Sequence, residues 1–224
     1  MKNPLTMASL FRGTILLGAL ALGTLGAGCS SEPPHPQLTL TSADHGRPFT
    51  QQFSSAYISR NPDGESDLVL LDRAAEQAMG GAPVDSPVRQ VLHLRVLWNP
   101  NHDQKAEHSS GSNATIRWYV MGNTPQSSSD ILEYSGTAFV LVEDTDNGTD
   151  LTIRSATLKP VACRGELQDP VGVCSLAGAI HATSNRQRVR DALNCVRTVV
   201  STNDALPKTP SITAKPENPS SLAR

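Results

Sequence analysis

Three groups of residues in this sequence have the types and spacing to do chemistry. His102, Asp103, Glu107 and His108 share the segment 99–113 (NPNHDQKAEHSSGSN). Imidazole beside carboxylate is a workable zinc set, and equally a general acid–base pair. The segment is polar throughout, however, and ligands or catalytic groups need rigid elements behind them, so a solvated loop is the more economical reading. Asp144, Asp146 and Asp150, with Glu143 beside them, crowd carboxylates into the run EDTDNGTD. Calcium wants clustered hard oxygens. Yet Gly148 comes one position early for a calcium loop, and Ser155 stands where a bidentate glutamate is needed. Aspartate and asparagine also suit exposed turns for their own backbone reasons. The third group, His93, Arg95, Arg117, Tyr119 and Glu133, falls on one face of neighbouring strands. There it forms either an anion clamp with an acid–base histidine or an ordinary cross-strand charge ladder, and the ladder is the simpler expectation.

Hydrophobic periodicity supplies the elements that would position these groups. The run 51–60 (QQFSSAYISR) reads as a strand, Asn61-Pro62-Asp63-Gly64 as a turn, and 67–71 (DLVLL) as the return strand of a hairpin. Asp72 is placed to cap a short helix over 73–79 that Gly80-Gly81 would end. The segment 88–98 (VRQVLHLRVLW) is the best strand of the chain, with Leu92, Leu94, Val96 and Trp98 on one face and Val91, His93, Arg95 and Leu97 on the other. A second strand over 114–121 turns Ala114, Ile116, Trp118 and Val120 inward, so both tryptophans are expected in one core. The run 130–143 reads as a strand bulged at Gly136, and Asn147-Gly148 as the hairpin turn to a strand over 151–158. A further short strand is expected over 173–182.

After Ser184 the period changes to that of a helix. Ser184 and Gln187 form a capping-box pattern, and Val189, Ala192, Leu193, Val196 and Val200 recur at helical spacing. Arg186, Arg190 and Arg197 lie on the other side of this helix, where a basic stripe could meet lipid headgroups but a solvated face explains it as well. The fold class this predicts is mainly β (α+β), an antiparallel sheet or β-sandwich with one C-terminal amphipathic helix packed on it.

The chain has 224 residues and 4 cysteines. Its opening residues have the order of a secretory signal: Lys2 and Arg12, then the uncharged apolar run 14–25 (TILLGALALGTL), then Gly26-Ala27-Gly28-Cys29. The apolar run is shorter than the ~20 residues a membrane-spanning helix needs. Gly26-Ala27-Gly28-Cys29 resembles the lipobox of bacterial lipoproteins, although that family usually has leucine where Gly26 stands. The resemblance covers residues 1–29 only. It implies removal of 1–28, palmitate and related acyl chains on Cys29, and a membrane anchor in the cell envelope, on the periplasmic or outer-membrane side. Ordinary secretion as a soluble protein is the alternative. The polar, proline-rich run after Cys29 reads as a tether.

Removing 1–28 takes away Lys2 and Arg12, leaving 17 basic against 21 acidic groups, a net charge of −4. That balance, with no long basic block, argues against a nucleic-acid partner. Cys163, Cys174 and Cys195 would remain as domain cysteines. A Cys163–Cys174 bridge is the simplest pairing, Cys174–Cys195 the alternative, and three free thiols the third outcome. The domain plan is a tether over 29–48, one mainly β domain over 49–200 ending in helix 185–200, and a disordered tail over 201–224.

No nucleophile elbow, H-E-x-x-H, phosphate loop or dinucleotide fingerprint occurs in the sequence. The functional expectation is a lipid-anchored envelope protein with a non-catalytic binding or structural β domain and an envelope protein partner. No cofactor is expected, with calcium at Asp144–Asp150 as the one candidate. The alternative is a small envelope hydrolase or metal-dependent enzyme built on His102 and His108.

Overall fold

The structure, a computed structural model, describes residues 36–44, 46–100, 111–123 and 130–204. Nine strands and two helices follow in the order β1 (Gln37–Ser42), β2 (Pro48–Gln52), β3 (Ser55–Arg60), β4 (Ser66–Leu71), α1 (Arg73–Met79), β5 (Val88–Val96), β6 (Ala114–Gly122), β7 (Ile131–Thr145), β8 (Gly148–Arg164), β9 (Cys174–Ser184) and α2 (Arg186–Asp204). The protein is mainly β with a C-terminal helix, but the sheet is neither open nor split into a sandwich. β9 pairs with both β8 and β3, so β3 through β9 close into a seven-stranded barrel, and β1 and β2 extend the wall beside β9.

Closure depends on one short parallel joint. Tyr57 pairs with Thr183 and Ile58 with Ser184, whereas every other pairing is antiparallel. The curvature that brings β9 round is concentrated in the two longest strands. Their register slips between Glu133 and Tyr134 and again between Phe139 and Val140, as bulges do when they bend and twist a sheet. The slips flank Gly136 rather than falling on it. Gly136 is needed for another reason: a Cβ there would collide with the Thr157 carbonyl of β8.

The alternation of each strand sorts side chains into two cores. Inside the barrel lie Leu68, Leu70, Leu92, Leu94, Ile116, Trp118, Tyr134, Val140, Ile153, Leu158 and Leu176, all buried. On the outer wall Val69, Leu71, Val91, Tyr119 and Met121 form a second core beneath Val189, Ala192, Val196 and Val199 of α2. Tyr119 therefore does not belong to an open outer patch. Full burial of such side chains contributes about 1.5–3 kcal/mol each, which explains why α2 lies on this face.

Local signals fixed both helices, with small corrections. Asp72 caps α1 as its type predicts, its Oδ1 accepting from Ala75 N at 2.7 Å. For α2 the cap is Asn185 rather than Ser184, with Oδ1 accepting from Arg188 N at 3.0 Å, while Gln187 turns along the helix to Asp191. The hairpin turn is Asp146-Asn147, and Gly148 already opens β8 with φ +157°.

Four further expectations are overturned. α2 runs to Asp204, past the helix end expected at 200 and into the stretch 201–224 read as a disordered tail. β1 lies inside the stretch 29–48 read as tether, and its Leu38 and Leu40 are core residues. Two apolar residues in a polar run are a faint pattern, and β9 makes them a strand by offering its edge. Trp98 does not join Trp118: β5 ends at Val96 and Trp98 is 45% exposed. The Cys163–Cys174 bridge is absent, and among the described residues Cys163, Cys174 and Cys195 are unbridged. Cys174 pairs with Leu158, and Cys163 lies five residues further along β8. At about 3.3 Å per residue that is roughly 16 Å of strand, beyond the ~7 Å that a disulfide tolerates between Cα atoms.

Candidate functional site

The barrel has two differently finished ends. At the end where β7 turns into β8, charged side chains are matched in pairs. Arg60 reaches Asp144, whose Oδ1 also accepts from Thr149 Oγ1 at 3.2 Å. Asp150 Oδ1 meets His181 Nδ1 at 2.6 Å. Asp144 and Asp150 are thus held by separate partners. Among the described residues no three His, Cys, Asp or Glu side chains gather as a metal would need. A cavity of about 580 Å³ at this end is bounded by Arg60, Asp144, Asp146, Gly148, Ser184 and Arg186 among others.

Beneath that end Asn113 is fully buried and fully used. Its Nδ2 donates to Trp98 O at 3.0 Å and Val140 O at 2.8 Å, and its Oδ1 accepts from Val140 N at 2.8 Å. It therefore satisfies the Val140 backbone groups just past Ala114, where the regular β6–β7 pairing ends.

On the outer wall the group around His93 takes the form of a ladder. His93 Nε2 meets Asp67 Oδ1 at 2.9 Å, Arg95 pairs with Glu65, and Arg117 approaches Glu133 at 3.7 Å. The His93 hydrogen bond, with one from Asn61, holds the Asp67 carboxyl below its ordinary range against the opposing effect of burial. Arg186, Arg190 and Arg197 sit on the exposed face of α2. His102, Asp103, Glu107, His108 and Cys29 lie outside the described residues.

The opposite end, among the described residues, is apolar. Phe49, Val88, Trp118, Val120, Leu132, Leu167, Pro170 and Val171, with Gln51, Gln90, Gln168 and Tyr134, line a chamber of about 430 Å³. No charged side chain is among them. The chamber exists because β4 stops at Leu71 while β5 begins at Val88, whose partner on β4 would lie beyond that end. With β3 and β4 absent here, β2 faces β5 across a slot in the wall.

The floor of the slot is rigid. Trp118 stacks on Tyr134 with ring centroids 4.8 Å apart and planes 21° apart, and Trp118 Nε1 donates to Gln90 Oε1 at 3.1 Å. The Tyr134 hydroxyl donates to Asp169, whose Oδ1 also accepts from Val171 N and Gly172 N, each at 2.9 Å. Burial works to raise the Asp169 carboxyl, but these three hydrogen bonds outweigh it and hold it low. Tyr134 is pushed far above the usual tyrosine range, first by burial and then by the bond to Asp169 and its charge. At its other end the same loop is pinned by Asp130, whose Oδ2 accepts from Glu166 N at 3.2 Å. Ser42 Oγ donates to Val171 O at 2.7 Å and ties it to β1.

None of the chamber residues carries a catalytic or metal-binding signature, so a search for chemistry passes over them. The one usable signal was the inward alternation that placed Trp118 and Val120 on the core face. No protein-family model, curated protein or solved structure matches this chain. What the geometry itself defines is a seven-stranded barrel with one polar end and one apolar end, each holding a cavity. Among the described residues no helix is long and apolar enough to cross a membrane.

Proposed function

We propose that this chain is a lipid-anchored, non-catalytic binding protein of a bacterial envelope, and that its ligand site is the chamber at the apolar end of the barrel. The observation that carries the reading is the chamber itself: about 430 Å³, without a charged side chain, on a floor of stacked aromatic rings. Sites for small molecules are of this kind, largely preformed and apolar with a few polar groups to orient the occupant, and commonly ~300–1,000 Å³. Here Gln51, Gln90 and Gln168 supply neutral donors and acceptors, so the group received is apolar or uncharged and polar. An ionised group would lose its hydration there without gaining a counter-charge.

The anchor is argued from the lipobox-like Gly26-Ala27-Gly28-Cys29. Only residues 30–36 separate Cys29 from β1. Seven residues span at most about 25 Å when extended, so acylation of Cys29 would keep the barrel within that reach of a membrane.

The test has two parts. Intact mass and membrane fractionation of the native protein, beside Cys29→Ser, read the anchor: acyl mass and sedimentation should be lost together in the variant. For the chamber, an uncharged apolar fluorophore is titrated into the Cys29→Ser chain while Trp118 emission is followed. Saturable quenching is expected, and Val120→Trp, which fills the chamber, should abolish it. A fluorophore that binds both chains alike would remove the chamber as the site.

A further inference from the structure

The two strand edges that flank the chamber use their backbones differently. Phe53 N donates to Pro36 O at 3.0 Å, and this couple continues the register that pairs Gln37 with Gln52. In an antiparallel ladder, residues that exchange bonds with the partner alternate with residues that turn away. Phe53, Gln51 and Phe49 therefore face β1, while Gln52, Thr50 and Pro48 turn their backbone groups outward. The far side of β1 agrees. Ala43 N donates to Val173 O at 2.7 Å, which directs the odd-numbered residues of β1 to β9 and the even-numbered ones to β2.

Among the described residues β2 pairs only with β1. The outward carbonyl of Gln52 is met by the side-chain amide of its own neighbour Gln51, at 3.3 Å on the exposed surface. The facing edge is closed by comparison. Asp72 N donates to Gln90 O at 3.2 Å, and the next outward residue, Val88, is capped by Ser86, whose hydroxyl donates to Val88 O at 2.7 Å and accepts from Val88 N at 3.4 Å. One side of the slot has its backbone covered. The other offers Thr50 and Gln52 beside an uncharged cavity into which Phe49 and Gln51 already project.

We infer that the β2 edge receives an extended segment of a partner polypeptide as an added strand, with the segment's apolar side chains entering the chamber. This rests on the reading of the chamber as the ligand site and names what it holds. Main-chain bonds at an added strand supply affinity without regard to sequence, and the side-chain pocket supplies selectivity. The segment is accordingly uncharged and apolar at alternate positions, since the chamber offers no countercharge. Pro48 lacks an N–H and closes one end of the edge, which confines the added strand to Thr50–Gln52 and hinders sheet-to-sheet association.

The test uses the full chain with Cys29→Ser and a synthetic peptide alternating threonine with leucine. Two further peptides carry N-methyl groups on one or the other alternate set of amides. Thr50→Pro removes the outward N–H while leaving the ladder to β1 intact, a placement proline tolerates at an edge. The peptide is expected to bind the parent chain, to bind Thr50→Pro at least about tenfold more weakly, and to fail with one N-methyl pattern only. The uncharged fluorophore should still enter the chamber of Thr50→Pro. Equal binding of both N-methyl patterns to the parent chain, whatever becomes of Thr50→Pro, would overturn strand addition and leave the chamber as a small-molecule site. Failure of fluorophore and peptide alike would overturn the chamber reading itself. Concentration-dependent dimerisation of the parent chain that Thr50→Pro abolishes would make the occupant a second copy and overturn the partner segment.

Discussion

Where β7 turns into β8, Arg60 is matched to Asp144 and Asp150 to His181, and the buried amide of Asn113 meets Trp98 O and both backbone groups of Val140. Where β5 and β6 reach their other ends, the lining has no charge to match, and about 430 Å³ is left unfilled above the Trp118–Tyr134 stack. The same strands run through both ends, so the difference comes from length. β3 and β4 close the wall at the first end and stop short of the second, where β1 and β2 stand in without reaching β5. On the proposed reading the two ends divide the labour: charge pairing marks the first, which has its own cavity of about 580 Å³, and the apolar chamber of the second receives the ligand.

Substitutions can sharpen that division. The largest effect is expected from Asn113→Ala, which strands the N–H and C=O of Val140 in the core. At about 1–3 kcal/mol for each buried group left unpaired, a loss near 3 kcal/mol should appear in chemical denaturation. Fluorophore binding at the far end should survive among the molecules still folded. Loss of binding without loss of stability would mean that the two ends are not independent.

Alkaline pH tests the floor of the apolar end next. Burial, with the Asp169 charge behind it, pushes the Cys174 thiol up to about 11. A group whose proton is held more tightly in the folded state stabilises the fold fully below its unfolded value, about 8.5 for a thiol, and that contribution is lost as pH rises toward the folded one. Stability should therefore decline between about pH 8.5 and 11, and the raised Tyr134 should continue the decline above about pH 10, its ordinary range. In Cys174→Ala the first part of the decline should vanish from thermal melts taken across that interval. An unchanged profile would show that the thiol is not buried as described.

On the outer wall the acid side is the informative one. The Asp67 carboxyl is held low chiefly by His93. Its contribution is present above the unfolded value, about 3.9, and is lost as pH falls below it. His93→Ala should cost about 1 kcal/mol at neutral pH and make the acid transition less steep. Smallest of all is Arg60→Ala. Both partners of the Arg60–Asp144 pair are more than half exposed, so a change within about 0.5 kcal/mol is expected. A larger loss would mean that this pair helps to close the polar end.

Legibility from sequence followed the range of the interaction. The Asp72 cap, the turn at Asn61–Gly64, the alternation of β5 and β6 and the apolar stripe of α2 are set by neighbours a few residues apart. They were read nearly to the residue. β1 was missed because Leu38 and Leu40 become a strand only against an edge that arrives with β9. Trp98 was assigned to the core because alternation continues past Val96 while the strand does not. A charge ladder on the His93 face is legible from the alternation of adjacent strands, but its partners are not: His93 and Arg95 pair with Asp67 and Glu65, and Tyr119 is buried beneath α2. The chamber was not legible, because it is made of an absence: the point where β4 ends and β5 continues.

By itself the sequence determined most of the elements, though not β1 or the break between β2 and β3, and their faces: which residues alternate, where helices begin, which side of each strand is apolar. Those follow from backbone sterics and from side-chain period, which act locally. Tertiary structure alone decided that the sheet closes, through Tyr57 and Ile58 against Thr183 and Ser184. It also decided that Cys163 and Cys174 lie apart, that Tyr134 clasps Asp169, and that among the described residues β2 pairs on one edge only. Each of these depends on residues distant in the chain being brought together by how far the strands curve. Curvature is a sum over many small twists and two bulges, and no short stretch of sequence contains it.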